Sequence, residues 1–317
     1  MTMVRGMYAQ LMAPGIKHNF IEYLDLFQKE KEYDKVFNIE NTTQAFEDEV
    51  QFAGTGPMPE KTEAEAVEYT QIIQGGTLRY IPLSYALGCR VSWELWKDDL
   101  YGIIKQAPKA LARSARFTEE MIAWNVFNLG FTTLVTTDGV SLFNNEHPLL
   151  GGANATNTAP GISPLISASG TYPNRPAVDA DLSYSAIILM SQQFEGMIDS
   201  LGLPVIARPK KLIIPFYLKF IARTLLGSAG KPGTGDNDIN ALLGEDLGWM
   251  ISHFLTSTSA WFAVSDKENH QLKVKIREEI DADYDDDFDT RSMKMMSYMR
   301  RTAGATHWIN TWGSNGP

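Results

Sequence analysis

The chain has 317 residues, enough to bury a large core in one or two domains without disulfide or metal staples. Its 44% hydrophobic and 21% charged residues are ordinary for a globular protein, and a formal net charge of -10 excludes a protein whose work is to grip nucleic acid, since phosphate binding needs clustered Lys and Arg. The same acidity is compatible with living beside DNA, which an acidic wall repels and lets slide. A single cysteine, Cys89, excludes an intrachain disulfide framework and a cysteine-only metal site. The longest apolar stretch, "KKLIIPFYLKFIARTLLG", is broken by Pro215, Lys219 and Arg223, so no transmembrane helix is expected. "MTMVRGMYAQLMAPGI" lacks the apolar core and cleavage pattern of a secretory signal, which points to a cytosol.

Ile16, Phe20, Tyr23, Leu24 and Phe27 recur at helical spacing and predict a short amphipathic helix. The charged run "KEKEYDK" and a strand-like "VFNIEN" follow. From Gln51 to Gly76 the sequence is polar and irregular, with glycine at both ends and little to bury, and reads as a long excursion rather than core. Leu87, Cys89, Val91 and Trp93 alternate with Gly88, Arg90, Ser92 and Glu94, as in a half-buried strand. The strongest helix signal runs from Pro108 to Leu129. There Leu111, Ala115, Ile122, Val126 and Leu129 form a stripe on a helix roughly 33 Å long, which Gly130 ends.

A second helix is expected over Leu182 to Met197, capped by Asp179 or Asp181, with Gly202-Leu203-Pro204 just beyond. The apolar segments "LPVIA" and "KKLIIP" follow, then a short helix "FYLKFIARTLL", a Gly-rich loop, and strand-like segments around Trp249 to Leu255 and Ala260 to Val264. From Leu272 to Trp312 polar and apolar residues alternate as in extended strands. There is no internal repeat, and helix and strand do not strictly alternate, so an α+β architecture is expected rather than a doubly wound parallel sheet.

The patterns that invite chemistry fail at the positions where chemistry is demanding. The loop "GSAGKPGTGDND", Gly227 to Asp238, places Lys231 beside exposed backbone amides, but a Walker loop needs Gly where Leu225 stands and Ser or Thr where Pro232 follows the lysine. A surface loop is the plainer reading. Asp281, Asp283, Asp285, Asp287 and Asp289 stand at every second residue and would share one strand face. A calcium loop starting at Asp281 would need Gly at Asp286 and a carboxylate at Ser292, so a solvated or interfacial acidic face is expected, with a divalent-ion site as the alternative. His18, His147, His253, His270 and His307 show no metal-ligand spacing, and no Gly-x-Ser-x-Gly elbow exists. Pro148 biases His147 towards extended backbone, a chain-shaping role first. No catalytic, cofactor-binding or metal-binding residue is assigned, and no enzyme activity is expected.

The segment "TTDGVSLFNNEHPLLGGANATN" resembles the DG-x-x-LF-x-x-x-HPL-x-GG segment of major capsid proteins of tailed bacteriophages, especially Mu-like head subunits. Further resemblances keep the family's order. "YDKVFNIENTTQAFEDEVQFAGTG" is similar to its N-terminal arm entering an extended loop, and "LSYALGCRVSWELWKDDLYG" to the strand leading into its spine helix. "RPKKLIIPFYLKFIARTLLGS" and "MISHFLTSTSAWFAVSD" resemble its axial domain, and "DFDTRSMKMMSYMRRTAGATHWINTWGSNGP" its closing strands.

The resemblance implies the HK97-like capsid fold: an N-terminal arm over 1–50, an extended loop over 51–86, a peripheral domain with the spine helix over 87–137, an axial domain over 138–266, and closing peripheral strands over 267–317. It implies a structural subunit that self-assembles, as hexamers and pentamers, into an icosahedral shell around double-stranded DNA without sequence-specific binding. In that reading Asp138-Gly139 turns the chain, Leu142-Phe143 anchors it, His147-Pro148 stiffens the exit and the Gly/Asn tail forms a loop. The arm-like sequence begins almost at Met1, so scaffolding is expected from another chain; a portal and a decoration protein are further expected partners, and a membrane is not. Assembly would take place in the cytoplasm of a bacterial host and the product would be a virion. Some relatives crosslink a loop lysine, and Lys61 is the only lysine between Gln51 and Gly76. The alternatives are an encapsulin-like compartment shell and, remotely, a nucleotide-binding enzyme using Gly227 to Gly235.

Overall fold

The computed structural model describes residues 20–54, 58, 60–67, 69, 72–98, 106–150, 170–201, 203–231, 238–287, 289–290 and 292–316. The chain divides into two compact units, one of residues 1–47, 80–123 and 274–303, the other of 48–79, 124–273 and 304–317. His18, residues 151–158 of the Asp138–Thr158 stretch and the 232–237 part of the Gly-rich loop lie outside the described residues.

The first unit is built on a four-stranded sheet of β1 (Asn38–Asn41), most of β10 (Leu272–Asp287) and β11 (Ser292–Ala305), and β4 (Leu83–Ser92), in the order β1-β10-β11-β4. β10 and β11 are the tail strands that the alternation predicts. β4 runs antiparallel to β11, with Ser92 opposite Ser292 and Leu83 opposite Arg301. It occupies the sheet edge, and this changes its expected pattern: Tyr85, Cys89 and Val91 turn inward to some degree, whereas Leu87 is 53% exposed. An edge strand has a neighbour on one side only, so alternation alone does not guarantee a covered face.

Helix α1 (residues 20–28) carries the predicted Phe20, Tyr23, Leu24 and Phe27. These pack with Leu111 and Ala112 of α3 (Ala107–Asn128) and with Met295 of β11, flanked by Cys89, Ile280 and Tyr284. A short helix α2 (Trp93–Asp98) follows β4. α3 matches the predicted Pro108–Leu129 span within a residue at each end, but its stripe differs. Leu129 is 43% exposed, and the buried face instead includes the carboxylates Glu119 and Glu120, only 1% and 4% exposed.

These two acids tie the helix to the turn before β1. Glu120 accepts from the backbone N–H of Glu32 at 2.7 Å and of Tyr33 at 3.2 Å. Glu119 accepts from the Tyr33 hydroxyl at 2.6 Å, pairs with Arg116 at 2.6 Å, lies 3.5 Å from Lys31 Nζ, and pairs with the fully buried Arg301 of β11. Burial alone would raise its pKa, but the charges of Arg301 and Arg116, the Tyr33 hydrogen bond and the charge of Lys31 outweigh that and hold it at about 2. Burial, with the charge and hydrogen bond of Glu119, pushes the Tyr33 phenol above its usual range, so it remains a donor.

The second unit holds a four-stranded sheet in the order β12-β9-β7-β8: β12 (Thr311–Ser314), β9 (Trp261–Val264), β7 (Lys211–Pro215) and β8 (Gly248–Ser252). β7 runs parallel to β8 and antiparallel to β9. Leu212, Ile213 and Ile214 are all fully buried, as is Trp261, the continuous apolar run of strands covered on both faces. Helix α4 (Tyr184–Glu195) packs on β12, where Gln193 accepts from the Trp312 indole at 2.8 Å. Its cap is Ser183, whose hydroxyl accepts from Ala186 N–H at 3.2 Å, and not Asp179 or Asp181. Asp179 instead pairs with Arg175. Helix α5 (Lys219–Gly227) follows β7 through a short 3-10 turn. The paired strands β2 (Glu47–Phe52) and β3 (Gln74–Tyr80) bracket the polar excursion, and Arg79 clamps Asp48 with two bonds of 2.7 Å.

Replacing Glu119 with Gln leaves the buried Arg301 with only the largely exposed carboxylate of Glu279, 3.6 Å away, and destabilisation of about 3 to 5 kcal/mol is expected in denaturant unfolding of the unassembled chain. A loss under about 1 kcal/mol would show that Arg301 does not depend on this carboxylate. Because the folded pKa of Glu119 lies below its ordinary 4.5, its contribution is whole above 4.5 and is lost as pH falls towards about 2. The Gln variant should therefore lose part of the acid dependence of the unmodified chain across that window.

Candidate functional site

The stretch from Thr136 to Leu149 forms a buried corner of the second unit. Asp138 opens a tight turn in which Val140 N–H bonds to its carboxylate at 3.2 Å, Thr136 N–H bonds to Val140 C=O at 3.0 Å, and Gly139 takes φ +84°. That left-handed conformation disfavours any side chain, which explains the Asp-Gly pair. The chain then drives Leu142 and Phe143 inward, both fully buried. The Phe143 ring lies 5.0 Å from Phe131, 5.1 Å from Phe262 and 6.2 Å from Phe127 between centroids. The Leu142-Phe143 pair is thus the anchor of the segment.

β5 (His147–Pro148) pairs with β6 (Thr171–Tyr172), His147 opposite Tyr172. The fully buried His147 ring stacks on Trp308 at 4.6 Å between centroids. Its Nδ1 is 2.6 Å from Asp138 Oδ2 and its Nε2 is 3.1 Å from Asn174 Oδ1. Asn174 in turn donates to Leu142 C=O at 2.7 Å and accepts from Asn144 N–H at 2.9 Å. Burial disfavours the Asp138 charge, but the hydrogen bond and charge of His147, helped by Thr136 and Val140 N–H, outweigh it and keep the carboxyl below its ordinary range.

The root of the excursion meets this corner. Thr137 donates to Thr306 C=O at 2.9 Å and lies 3.4 Å from Gln51 Oε1 of β2. The Gln51 amide nitrogen is 2.9 Å from Ser200 Oγ and 2.6 Å from His307 Nε2. From β3, Gly76 comes so close that a Cβ there would stand 1.7 Å from Thr137 O. Only a glycine admits that approach.

The other residues singled out in the sequence are dispersed. His253 is exposed and stacks on Phe216, while His270 is buried and accepts from Leu272 N–H at 3.3 Å. Lys231 lies over the ring of Tyr184, the first residue of α4, at 5.3 Å. Asp281, Asp283 and Asp285 point to solvent from β10, Asp287 meets Lys294 at 3.0 Å and Arg90 at 3.4 Å, and Asp289 lies in the turn beyond the strand. Lys61 is exposed. Among the described residues no cluster of three His, Cys, Asp or Glu has a geometry that holds a metal. Burial raises the pKa of the Cys89 thiol, which makes it a poor nucleophile. Among the described helices none is long and apolar enough to cross a membrane. The pairing of His147 with Asp138, nine residues apart, went unseen in the sequence; the Asp-Gly turn and the His-Pro step were legible separately.

Comparison with known proteins locates the fold. The chain covers 90% of its length against the capsid of cyanophage P-SCSP1u, and 88% of that chain, with a TM-score of 0.59 at 8% identity. Against a chain from Mycobacterium phage Adephagia the TM-score is 0.52 at 10% identity, covering 89% of this chain and 88% of that one. The capsid of a native GTA particle gives 0.51 at 11% identity, with 90% and 91% covered. These likenesses establish an HK97-like α+β capsid fold. No curated protein sequence matches. The sequence profile described as "Phage capsid protein" matches residues 76–309, most of the chain, and the chain therefore belongs to the phage capsid protein family.

Proposed function

We propose that this chain is the major subunit of a tailed-phage head, of the Mu-like kind suggested by its DG-x-x-LF-x-x-x-HPL-x-GG segment, and that hexamers and pentamers of it close into an icosahedral shell around double-stranded DNA. In this reading residues 138–266 form the axial domain, 87–137 and 267–317 the peripheral domain, 1–50 the arm and 51–86 the extended loop. Scaffolding, portal and decoration proteins are separate chains, and assembly takes place in the cytoplasm of the host bacterium. The observation that carries the reading is the excursion between β2 and β3. In the single chain Phe52 at the end of β2 and Met58, Val67, Tyr69 and Ile72 beyond it are 66%, 98%, 62%, 92% and 65% exposed. Large apolar groups left exposed over one segment in this way favour a contact surface. Other copies of the same chain supply the cover, through modest interfaces repeated by symmetry.

Two outcomes are expected. With scaffold supplied, the chain sediments as hexamers, pentamers or closed particles, and those formed in a cell contain DNA; a clean monomer at high concentration opposes the proposal, and protein cargo in place of DNA favours a compartment shell. Replacing residues 56–73 with a short Gly-Ser turn leaves calorimetric unfolding of the unassembled chain nearly unchanged, since ordering each such residue costs about 1 to 2 kcal/mol that its own unit does not offset. The same deletion removes closed particles from electron micrographs. Unfolding of the isolated chain by this deletion would instead make the segment part of the core.

A further inference from the structure

We infer that the outer face of α5 in one copy of the chain docks on segment 238–246 of a second copy, aromatic rings and cations on one side meeting aliphatic groups and carboxylates on the other. The sequence segregates its charge here. Between Asp199 and Asp236 there is no Asp or Glu, and Arg208, Lys210, Lys211, Lys219, Arg223 and Lys231 fall in that interval. Between Lys231 and Lys267 there is no Lys or Arg, and Asp236, Asp238, Glu245, Asp246 and Asp266 fall in it. Two neighbouring parts of the second unit thus carry opposite signs. The helix periodicity shows why one face of α5 is left over. Leu218, Ala222 and Leu225 recur at helical spacing and are buried in the unit. Phe216, Phe220 and Arg223 follow the opposite stripe with Tyr217 beside them, and the three rings Phe216, Tyr217 and Phe220 are 46%, 59% and 72% exposed.

Segment 238–246 supplies the complement. The buried Asn240 donates its amide to Leu225 C=O and Ser228 C=O, both at 2.8 Å, which pins the segment to the end of α5. Ile239 and Leu243 are nevertheless 85% and 51% exposed, with the exposed Asp238 and Glu245 near them in sequence. Among the described residues Lys219 and Arg223 form no salt bridge, and neither do Asp238 and Glu245, whereas Asp246 is taken by Lys210 of the same chain. The outer face of α5 cannot dock on itself, since Lys219 and Arg223 would meet their own kind, and two acidic segments repel in the same way. The favourable meeting is of unlike faces. Because every copy owns one of each, such contacts can continue from copy to copy until a ring closes. A duplex would engage the cations through its phosphates but offer the exposed rings no unpaired base to stack on, so a protein partner fits the face better. The inference deepens the shell reading and rests on it for the closing of the ring.

The pairing is read by crosslinking in the full chain carrying Cys89→Ser, so that the only thiols are those introduced. One preparation carries Thr224→Cys, one turn from Phe220, and the other Ala241→Cys in the acidic segment; both positions are exposed, and neither removes a ring or a charge of the contact. With a short bis-maleimide the mixture should give covalent dimers roughly tenfold more readily than either preparation alone. Equal yield from Thr224→Cys by itself, or no crosslink in the mixture, overturns the inference. Closed particles formed all the same would leave the shell reading standing, whereas an unmodified chain that stays monomeric sinks both. Charge reversal is the second readout. Lys219→Glu with Arg223→Glu in one preparation, and Asp238→Lys with Glu245→Lys in another, should each weaken association in sedimentation roughly tenfold, and mixing the two should restore it. Unimpaired association of either, or no recovery on mixing, counts against the contact. Retardation of duplex DNA by the unmodified chain that Lys219→Glu with Arg223→Glu abolishes, with association between copies unchanged, would assign the face to nucleic acid instead.

Discussion

The first unit depends on a carboxylate that sits where a long amphipathic helix would ordinarily place a leucine. Glu119 is almost completely removed from water and stays ionised because Arg301, Arg116, Tyr33 and Lys31 converge on it. A pair of this kind is costly to bury and costlier to break, since each charge loses the other as well as its water. Its value is geometric. Arg301 comes from β11, Tyr33 and Lys31 from the turn before β1, and Glu119 from α3, so one group fixes the register of three segments far apart in sequence. Lys275 of β10 extends the same logic: nearly buried, it meets Glu47 at 2.5 Å and Glu40 at 3.4 Å and lies over the Tyr80 ring.

The second unit uses the opposite materials for a similar end. The centre of its sheet, Leu212, Ile213 and Ile214 of β7 against Phe262 and Ala263 of β9, is apolar. Directional groups fix the corner, where Asp138, His147 and Asn174 satisfy one another and Thr137 hands their position to β2 and β3. A low-dielectric setting strengthens each of these bonds and makes an unmet partner expensive. The excursion therefore leaves the unit from a stiff root, although its own exposed side chains supply little to hold it.

Much of this was legible in the sequence, for reasons particular to each element. Pro108, the apolar stripe and Gly130 mark α3 because helix signals are local, and "KKLIIP" shows β7 because a strand covered on both faces reads as an unbroken apolar run. The misses concern partners. Apolar periodicity scores Glu119 and Glu120 as interruptions, since their partners, Arg301 for Glu119 and the backbone N–H groups of Glu32 and Tyr33 for Glu120, lie far away in sequence. Asp179 and Asp181 are good cap residues in isolation, yet Ser183 holds the position from which a side chain reaches Ala186 N–H. Leu87 alternates correctly but stands on an edge strand, and whether an edge is covered is a property of neighbours. The extended backbone at His147 is legible from Pro148, and β5 has it, while the pairing of His147 with Asp138 appears only once the turn at Gly139 folds the eight intervening residues back.

A net charge of -10 on each chain bears on how copies of it meet. In a shell that charge is repeated over every subunit, and it opposes association except where counter-ions screen it, over about 8 Å at physiological ionic strength. Attraction must then come from short-range contacts. The apolar groups displayed on the excursion are of that kind, worth roughly 25 cal/mol for each Å² they lose to a neighbour. The acidic face of Asp281, Asp283 and Asp285 adds nothing to attraction, but it penalises every docking that brings two such faces together. Long-range repulsion and short-range apolar attachment together favour weak, correctable contacts over indiscriminate ones. A closed particle needs that balance, because a misplaced subunit has to leave before its neighbours trap it. The same repulsion acts between the wall and an enclosed polyanion, so an acidic chain can surround DNA without holding it.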